Sequence, residues 1–248
     1  MSKPLPIIEI FGPTLQGEGP LIGYRTMFVR FGGCNYRCSW CDTLYAVLPE
    51  EVKANATWMT PEQIAKTIQA YREFVPWVTF SGGNPCIHNL TDLITHLHGD
   101  WWRICIETQG DPPKAPKWFW LLGEPDMVVW SPKPPSSQMV YDHESAETWV
   151  KSVPNDIPHH LKVVVMDEAD LEWTKSLLYF LRDRGLNGYL TSKTVQVGTD
   201  QTPEAVQSIL DRGRWLWETI CADHDDIWSD VRVLPQWHVL TFGPKRGV

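Results

Sequence analysis

The chain lacks any run of about 18 apolar residues, so no segment of its 248 residues is suited to cross a bilayer as a helix. Its opening, MSKPLPIIEIFGP, lacks the apolar core of a secretory leader. A cytoplasmic protein with no membrane association is therefore expected. Positive charge is scarce: 22 Lys and Arg stand against 30 Asp and Glu, a formal charge of −8. With a pI near 5.5, the chain has no basic stripe of the kind that grips a phosphate backbone. Direct nucleic-acid binding is not expected, and any biology that touches nucleic acid runs through a small molecule. Internal repeats and low-complexity tracts are also absent, which leaves a globular domain.

Cysteine is sparse and unevenly placed. Of six, three fall within eight positions, Cys34, Cys38 and Cys41, while Cys86, Cys105 and Cys221 are scattered. In a reducing compartment this distribution excludes a disulfide framework and leaves a metal or redox site. The scattered three are expected to be buried thiols.

What the chain does have is an ordinary apolar fraction, 43%, and 14 tryptophans that read mainly as packing residues. Its length fits one domain over residues 1–248, with 1–25 an N-terminal segment and 220–248 a C-terminal extension. Strand-like runs at 27–31, 77–80, 104–107, 127–130, 161–165 and 194–197 alternate with helical stretches at 61–74, 90–97 and 169–184. Thr60-Pro61-Glu62-Gln63 carries a helix start: Thr at the cap, Pro at the first position, Gln three residues on. Ile64, Ile68 and Tyr71 share that helix's inner face. Thr202-Pro203-Glu204 is expected to cap another helix, residues 132–137 and 153–158 to be loops, and 237–242 to be strand-like. The βα alternation implies an α/β fold with a parallel sheet. About six units are too few for a closed eight-stranded barrel, so a partial, open β/α barrel is expected, with its chemistry at the C-terminal strand ends.

Cys34-x-x-x-Cys38-x-x-Cys41 offers three thiolates from one loop. A four-cysteine zinc or ferredoxin site needs a fourth ligand, and neither a further Cys nor a His lies in the loop. Three ligands on a 4Fe–4S cube leave one iron open. The loop, GCNYRCSWCDT from Gly33 to Thr43, has an aromatic before its last Cys and resembles the radical S-adenosylmethionine (SAM) superfamily. There the open iron is chelated by SAM, whose reductive cleavage gives a 5′-deoxyadenosyl radical. Gly82-Gly83-Asn84-Pro85 is similar to the superfamily's GGE motif, with Asn84 where Glu is commoner, implying a weaker contact to SAM.

Within that superfamily the chain resembles the 7-carboxy-7-deazaguanine synthase family. Thr14-Leu15-Gln16-Gly17-Glu18-Gly19 is similar to its TLQGEG, Cys41-Asp42-Thr43 to its CDT, Glu107-Thr108-Gln109-Gly110 to its ETxG and Ser131-Pro132-Lys133 to its SPK. Gln196 and Gln236-Trp237-His238 are fainter echoes. The likeness runs from Glu9 to about Gln196; residues 223–233 and the tail look peculiar to this chain.

The resemblance implies a radical SAM partial barrel that turns 6-carboxy-5,6,7,8-tetrahydropterin into 7-carboxy-7-deazaguanine, by ring contraction with loss of ammonia. It assigns the 4Fe–4S cluster to Cys34, Cys38 and Cys41, and Mg²⁺ to Thr43. SAM falls to Trp40, Asp42, Gly83, Glu107, Ser131, Lys133 and Gln196. The pterin falls to Leu15, Gln16, Gly17, Glu18, Arg30 and Ser81. Arg30 is placed to pair with the substrate carboxylate through both arms of its guanidinium, though a structural ion pair is the bland alternative. Glu18 is placed to accept from ring N–H groups, or else is a solvated loop charge. Lys162 approaches the barrel mouth only by family analogy. His159-His160 do not make a ligand pair, because adjacent strand residues face opposite ways, and His88 reads as structural. A flavodoxin or ferredoxin electron donor and a homodimer are implied partners. The rival readings are another radical SAM enzyme, such as a glycyl-radical activase, and a non-enzymatic Fe–S or zinc protein.

Overall fold

The computed structural model describes residues 3–110, 124–141, 143–200 and 202–247. The remaining residues, which the single-domain expectation also spans, lie outside the description. Nine strands form one sheet: β1 (Leu5–Leu15), β2 (Arg25–Phe31), β3 (Thr57–Met59), β4 (Trp77–Gly82), β5 (Arg103–Thr108), β6 (Met127–Trp130), β7 (His159–Val165), β8 (Ser192–Val197) and β9 (Val231–Leu234). Their order is β3-β1-β2-β4-β5-β6-β7-β8-β9. Every pairing from β2 through β9 is parallel, and β1 runs antiparallel to both β2 and β3.

The six strands expected from periodicity are β2, β4, β5, β6, β7 and β8. A seventh parallel strand, β9, extends the sheet at one edge. Its four residues are partly exposed and so give no strong alternation. β1 and β3 extend the other edge. The register of β1 shifts between Ile7 and Glu9 and again between Phe11 and Thr14. Bulges of this kind break the period-two pattern by which a strand is recognised.

The helices are α1 (Leu44–Val47), α2 (Pro49–Asn55), α3 (Pro61–Ile68), α4 (Thr91–Gly99), α5 (His143–Ser152), α6 (Glu168–Asp183), α7 (Ala205–Ala222) and α8 (Trp237–Phe242). The capping box at α3 forms as read: Gln63 N donates to Thr60 Oγ1 at 3.3 Å, and Thr60 N donates to Gln63 Oε1 at 2.8 Å. The α-helix ends at Ile68 and tightens into a 3₁₀ turn over Gln69–Tyr71, short of residue 74. Ile64 and Ile68 are fully buried. Two further expectations are corrected. The N-cap of α7 is Glu204, without a side-chain bond, and Thr202 contributes only its carbonyl, to Ala205 N. Residues 237–242 are helical: a short apolar run does not declare its period, and only Val239 of the helix is buried.

One large core holds the fold together, with Val29, Phe31, Phe80, Ile104, Trp130 and Val163 from successive strands packed against Leu93, Leu97, Leu177 and Leu181 of the helices. Cys86 and Cys105 are buried as expected, whereas Cys221 near the end of α7 is exposed. His159 and His160 do face apart. His159 Nε2 accepts from Trp149 Nε1 at 3.2 Å, while His160 Nδ1 pairs with Ser192 Oγ at 2.7 Å. His88 is structural, its Nε2 bonding the Gly32 carbonyl at 2.8 Å. No described helix is long and apolar enough to cross a membrane.

Candidate active site

The C-terminal ends of the parallel strands open into a cleft of about 290 Å³. Two glycines let its wall close up. Gly82 has φ +122°, and a Cβ there would lie 2.2 Å from Phe31 O; at Gly83 it would lie 2.0 Å from Gly33 O. No side chain fits either position, so the turn after β4 seats directly on the start of the cysteine loop. Gly83 N donates to Phe31 O at 3.1 Å, and Asn84 N to Gly33 O at 2.8 Å.

Cys34, Cys38 and Cys41 are free, half-buried and all line the cleft. Among the described residues no three His, Cys, Asp or Glu side chains converge tightly enough to hold a single metal ion. Cys34 Sγ accepts from Tyr36 N and from Gln109 Nε2, each at 3.3 Å, and N–H donors of this kind suit a metal-bound thiolate. Burial pushes the Cys38 thiol up to about 11, with Lys133 pulling the other way. Such a group becomes a thiolate readily only when a cationic centre binds it. The donor set therefore fits an iron–sulfur cluster.

The cysteine loop is clamped from its far side by the segment after β6. Ser39 N donates to Ser137 O at 3.0 Å, and Ser39 Oγ donates to Ser136 O at 2.6 Å. Trp40 Nε1 donates to Ser136 Oγ at 2.8 Å, which in turn donates to the buried Asp170 of α6 at 2.6 Å. Lys133 Nζ bonds Ser131 Oγ at 3.2 Å and stands 5.6 Å from the centroid of the Trp40 ring. A flat aromatic, a hydroxyl and an ammonium thus collect beside the cysteines, a set suited to a charged nucleoside.

Opposite them the cleft is polar and charged. Lys162 Nζ, almost fully buried, donates to Glu18 Oε2 at 2.6 Å and lies 3.6 Å from Glu107 Oε1. Gln16 Nε2 donates to Glu107 at 3.1 Å, and Gln236 Nε2 to Glu18 Oε1 at 2.9 Å. Burial alone would raise the Glu18 carboxyl, but the Lys162 ammonium and then His238 outweigh it and hold Glu18 well below the carboxylate range. Burial likewise opposes the Lys162 charge, yet Glu107 and Glu18 keep it above its ordinary value. Ser81 and Gln236 line the same cleft, and Ser81 Oγ and Gln236 Oε1 are buried without a hydrogen-bond partner among the described residues. Buried polar atoms cost free energy when unpaired, so both are available to a ligand.

At the rim, Arg30 Nε donates to Glu9 Oε1 at 2.6 Å, with Phe11 and Tyr45 rings flanking the guanidinium. Arg246 takes the other Glu9 oxygen at 2.9 Å and lies over the Tyr45 ring at 3.8 Å. Thr43 Oγ1 lies 3.6 Å from Cys41 Sγ, and the Asp42 carboxylate beside it is exposed.

Every site residue read from the sequence lines this cleft except Gln196. That side chain is fully buried behind the wall, where its Oε1 accepts from Gly19 N at 3.3 Å. Asn84 is also off the wall, buried among Asn35, Cys86 and Thr108. Arg30 is ion-paired through Nε with its other nitrogens uncommitted to Glu9, and Glu18 is enclosed beside Lys162 and is not a solvated charge. Sequence reasoning missed the Gln109 side chain, the Tyr45–Arg246 pair and the central place of Lys162. Glu107-Thr108-Gln109-Gly110 was a signal for Gln109; nothing local marked the other two.

The Radical SAM superfamily model matches residues 28–130 of the chain. Over their full lengths, the chain is 38% identical to 7-carboxy-7-deazaguanine synthase of Bacillus subtilis (strain 168), and equally so to that of Bacillus cereus. It is 30% identical to the Synechocystis protein of the same name, over 68% of this chain and 69% of that one. The crystal structure of QueE from Escherichia coli superposes with a TM-score of 0.64 at 24% identity, covering 95% of each chain, a likeness of fold.

Proposed function

The chain belongs to the 7-carboxy-7-deazaguanine synthase family of radical SAM enzymes, and on that premise we propose that its cleft converts 6-carboxy-5,6,7,8-tetrahydropterin to 7-carboxy-7-deazaguanine with loss of ammonia. The observation that carries this reading is the opposition, across one cleft, of three cluster-forming cysteines and the charged set Glu18, Lys162 and Glu107. A glycyl-radical activase gives no role to a buried carboxylate–ammonium set, and a closed four-ligand metal protein gives no role to the cleft.

Cys34, Cys38 and Cys41 would hold a 4Fe–4S cluster that binds SAM. When bound, the cluster and SAM would supply one-electron, hydrogen-abstracting chemistry. The chain's own residues bind and orient. Trp40 offers its ring to the nucleoside of SAM, fixed in plane by Ser136. Gly83, Asp42, Glu107, Ser131 and Lys133 supply the remaining SAM contacts. Gln196 is reassigned from SAM to support of the Glu18 loop, through its bond to Gly19 N.

Glu18 stays ionised beside Lys162 and accepts N–H groups from the guanidine-like edge of the pterin, bonds that its charge strengthens. The Leu15–Gly17 backbone, Gln16 and Ser81 Oγ complete that side. Arg30 engages the substrate carboxylate through its terminal nitrogens, since Glu9 occupies Nε. Thr43 Oγ1 would help to hold a Mg²⁺, and such a small hard cation would supply positive charge for the substrate carboxylate. Holding the reacting carbon in one place in this way is catalysis by positioning. The same premise supplies a flavodoxin or ferredoxin as reductant, a second copy of the chain as partner, and the cytoplasm as compartment.

Calorimetric titration of the cluster- and SAM-loaded protein with oxidised, unreactive 6-carboxypterin tests this binding mode. Saturable binding that weakens at least tenfold for pterin without the carboxylate is expected. Equal affinity for the two would contradict the assignment of Arg30 and Thr43.

A further inference from the structure

Asn84 occupies the position at which the superfamily motif more often has Glu, yet its side chain does not reach the cleft. Its surroundings give it another task. Asn84 Oδ1 accepts from Thr108 Oγ1 at 2.9 Å and from Cys86 N at 3.1 Å. Thr108 Oγ1 accepts in turn from Gly110 N at 3.2 Å, so its hydroxyl hydrogen is committed to Asn84. With Oδ1 receiving two donors, the amide of Asn84 is fixed, and Nδ2 donates to Asn35 Oδ1 at 3.0 Å.

Asn35 Oδ1 receives a second bond, from Gln109 Nε2 at 2.7 Å. The same nitrogen lies 3.3 Å from Cys34 Sγ. An amide NH₂ has two hydrogens; one is spent on Asn35 and the other is aimed at the sulfur. Asn84 Nδ2 and Gln109 Nε2 thus converge as donors on Asn35 Oδ1, and with that oxygen facing both, Gln109 must turn its NH₂ and not its carbonyl toward Asn35 and the thiol. A carboxylate at position 84 only accepts when ionised, so it does not donate to Asn35 Oδ1. Asn at 84 is the residue that sets this orientation.

The geometry points to Gln109 as a positioning residue that tunes the reduction potential of the iron–sulfur cluster, through an N–H···S bond to Cys34 whose donor is oriented by Asn35 and Asn84. The inference rests on Cys34 being a cluster ligand. Reduction adds negative charge that is shared with the cysteine sulfurs. A donor aimed at one of them favours the reduced state and raises the potential. Gln109 is 4% exposed and Asn84 3%, whereas Asn35 is exposed and Cys34 half-buried, so the buried donor is held from the protein side of the sulfur.

The test uses the anaerobically reconstituted full chain and two variants, Gln109→Leu, which deletes the donor, and Asn84→Asp, which keeps both acceptor bonds but loses the donation to Asn35. Iron and sulfide content and the reduced-state electron paramagnetic resonance (EPR) signal are measured first, then a redox titration. Wild-type protein that takes up no iron would overturn the cluster reading itself. With clusters at wild-type content, both variants are expected to show a several-fold smaller reduced fraction at a fixed potential; a tenfold fall corresponds to about 59 mV for a one-electron couple. Unchanged titration curves in both variants would overturn the tuning role. So would loss of the cluster in both with retained circular dichroism, since the bonds would then hold the cluster and not tune it.

Discussion

Lys162 on β7 and Glu18 in the loop after β1 are 144 residues apart in the chain, yet Nζ and Oε2 meet at 2.6 Å in the depth of the cleft. The pair is buried, and Glu107 extends it at 3.6 Å. Removing one partner of such a pair strands the other. Lys162→Met is therefore expected to cost about 3–5 kcal/mol of stability and to raise the Glu18 carboxyl from below the carboxylate range. The sign for binding follows. In the wild type, Glu18 remains an acceptor throughout the working pH range; in the variant it protonates as pH falls. KM for the pterin, compared at pH 8 and pH 6, should rise on acidification in Lys162→Met far more than in the wild type. A parallel pH profile in the two proteins would count against Glu18 as a substrate acceptor.

Arg30 has one nitrogen committed to Glu9, and the account gives its remaining edge to the substrate carboxylate. Arg30→Lys keeps the charge and loses the planar fork. KM should rise about tenfold, the equivalent of about 1.4 kcal/mol, with a smaller change in kcat. The same substitution should leave the affinity for SAM within about twofold of wild type.

His159 and His160 make acid stability a matter of β7. Burial pushes His159 down to about 3 and His160 down to about 4, with His160 adding to the effect on His159 and Arg232 to that on His160. Both are neutral in the fold but take up protons in the unfolded chain near pH 6.5. Their folded values lie below the unfolded one, so their contribution is complete above pH 6.5 and is lost as pH falls towards 4. One unit below 6.5, each costs about 1.4 kcal/mol. His159→Gln keeps an acceptor for Trp149 Nε1 and does not titrate. Urea unfolding at pH 7.5 and 5.5 should show a smaller acid loss in this variant than in the wild type; an equal loss would remove His159 from the explanation.

The parts of the molecule legible in the sequence are those whose cause is local. The spacing of Cys34, Cys38 and Cys41 is one loop's property. The capping box of Thr60 and Gln63 is one turn's, and the βα alternation is written in period-two and helical stretches. What was not legible depends on partners far along the chain. The charge state of Glu18 is held by Lys162 and His238, brought to it by β7 and by the segment after β9. Gln196 is a faint echo of the family in the sequence; its buried side chain receives a bond from Gly19 N, a contact 177 residues away along the chain. β1 was hidden by its bulges, and α8 by the brevity of its apolar run. The motif names only the position of Asn84; of the contacts that fix its side chain, Cys86 N is local and those of Thr108 and Asn35 come from two other segments.

Turnover tests the central claim most directly. Anaerobically reconstituted protein is mixed with SAM, Mg²⁺, a strong reductant and 6-carboxytetrahydropterin, and the products are followed by mass spectrometry. The account predicts 7-carboxy-7-deazaguanine accumulating in excess of the SAM consumed, and no product from protein with Cys34, Cys38 and Cys41 replaced by Ala. Cleavage of SAM to 5′-deoxyadenosine without formation of 7-carboxy-7-deazaguanine would contradict it.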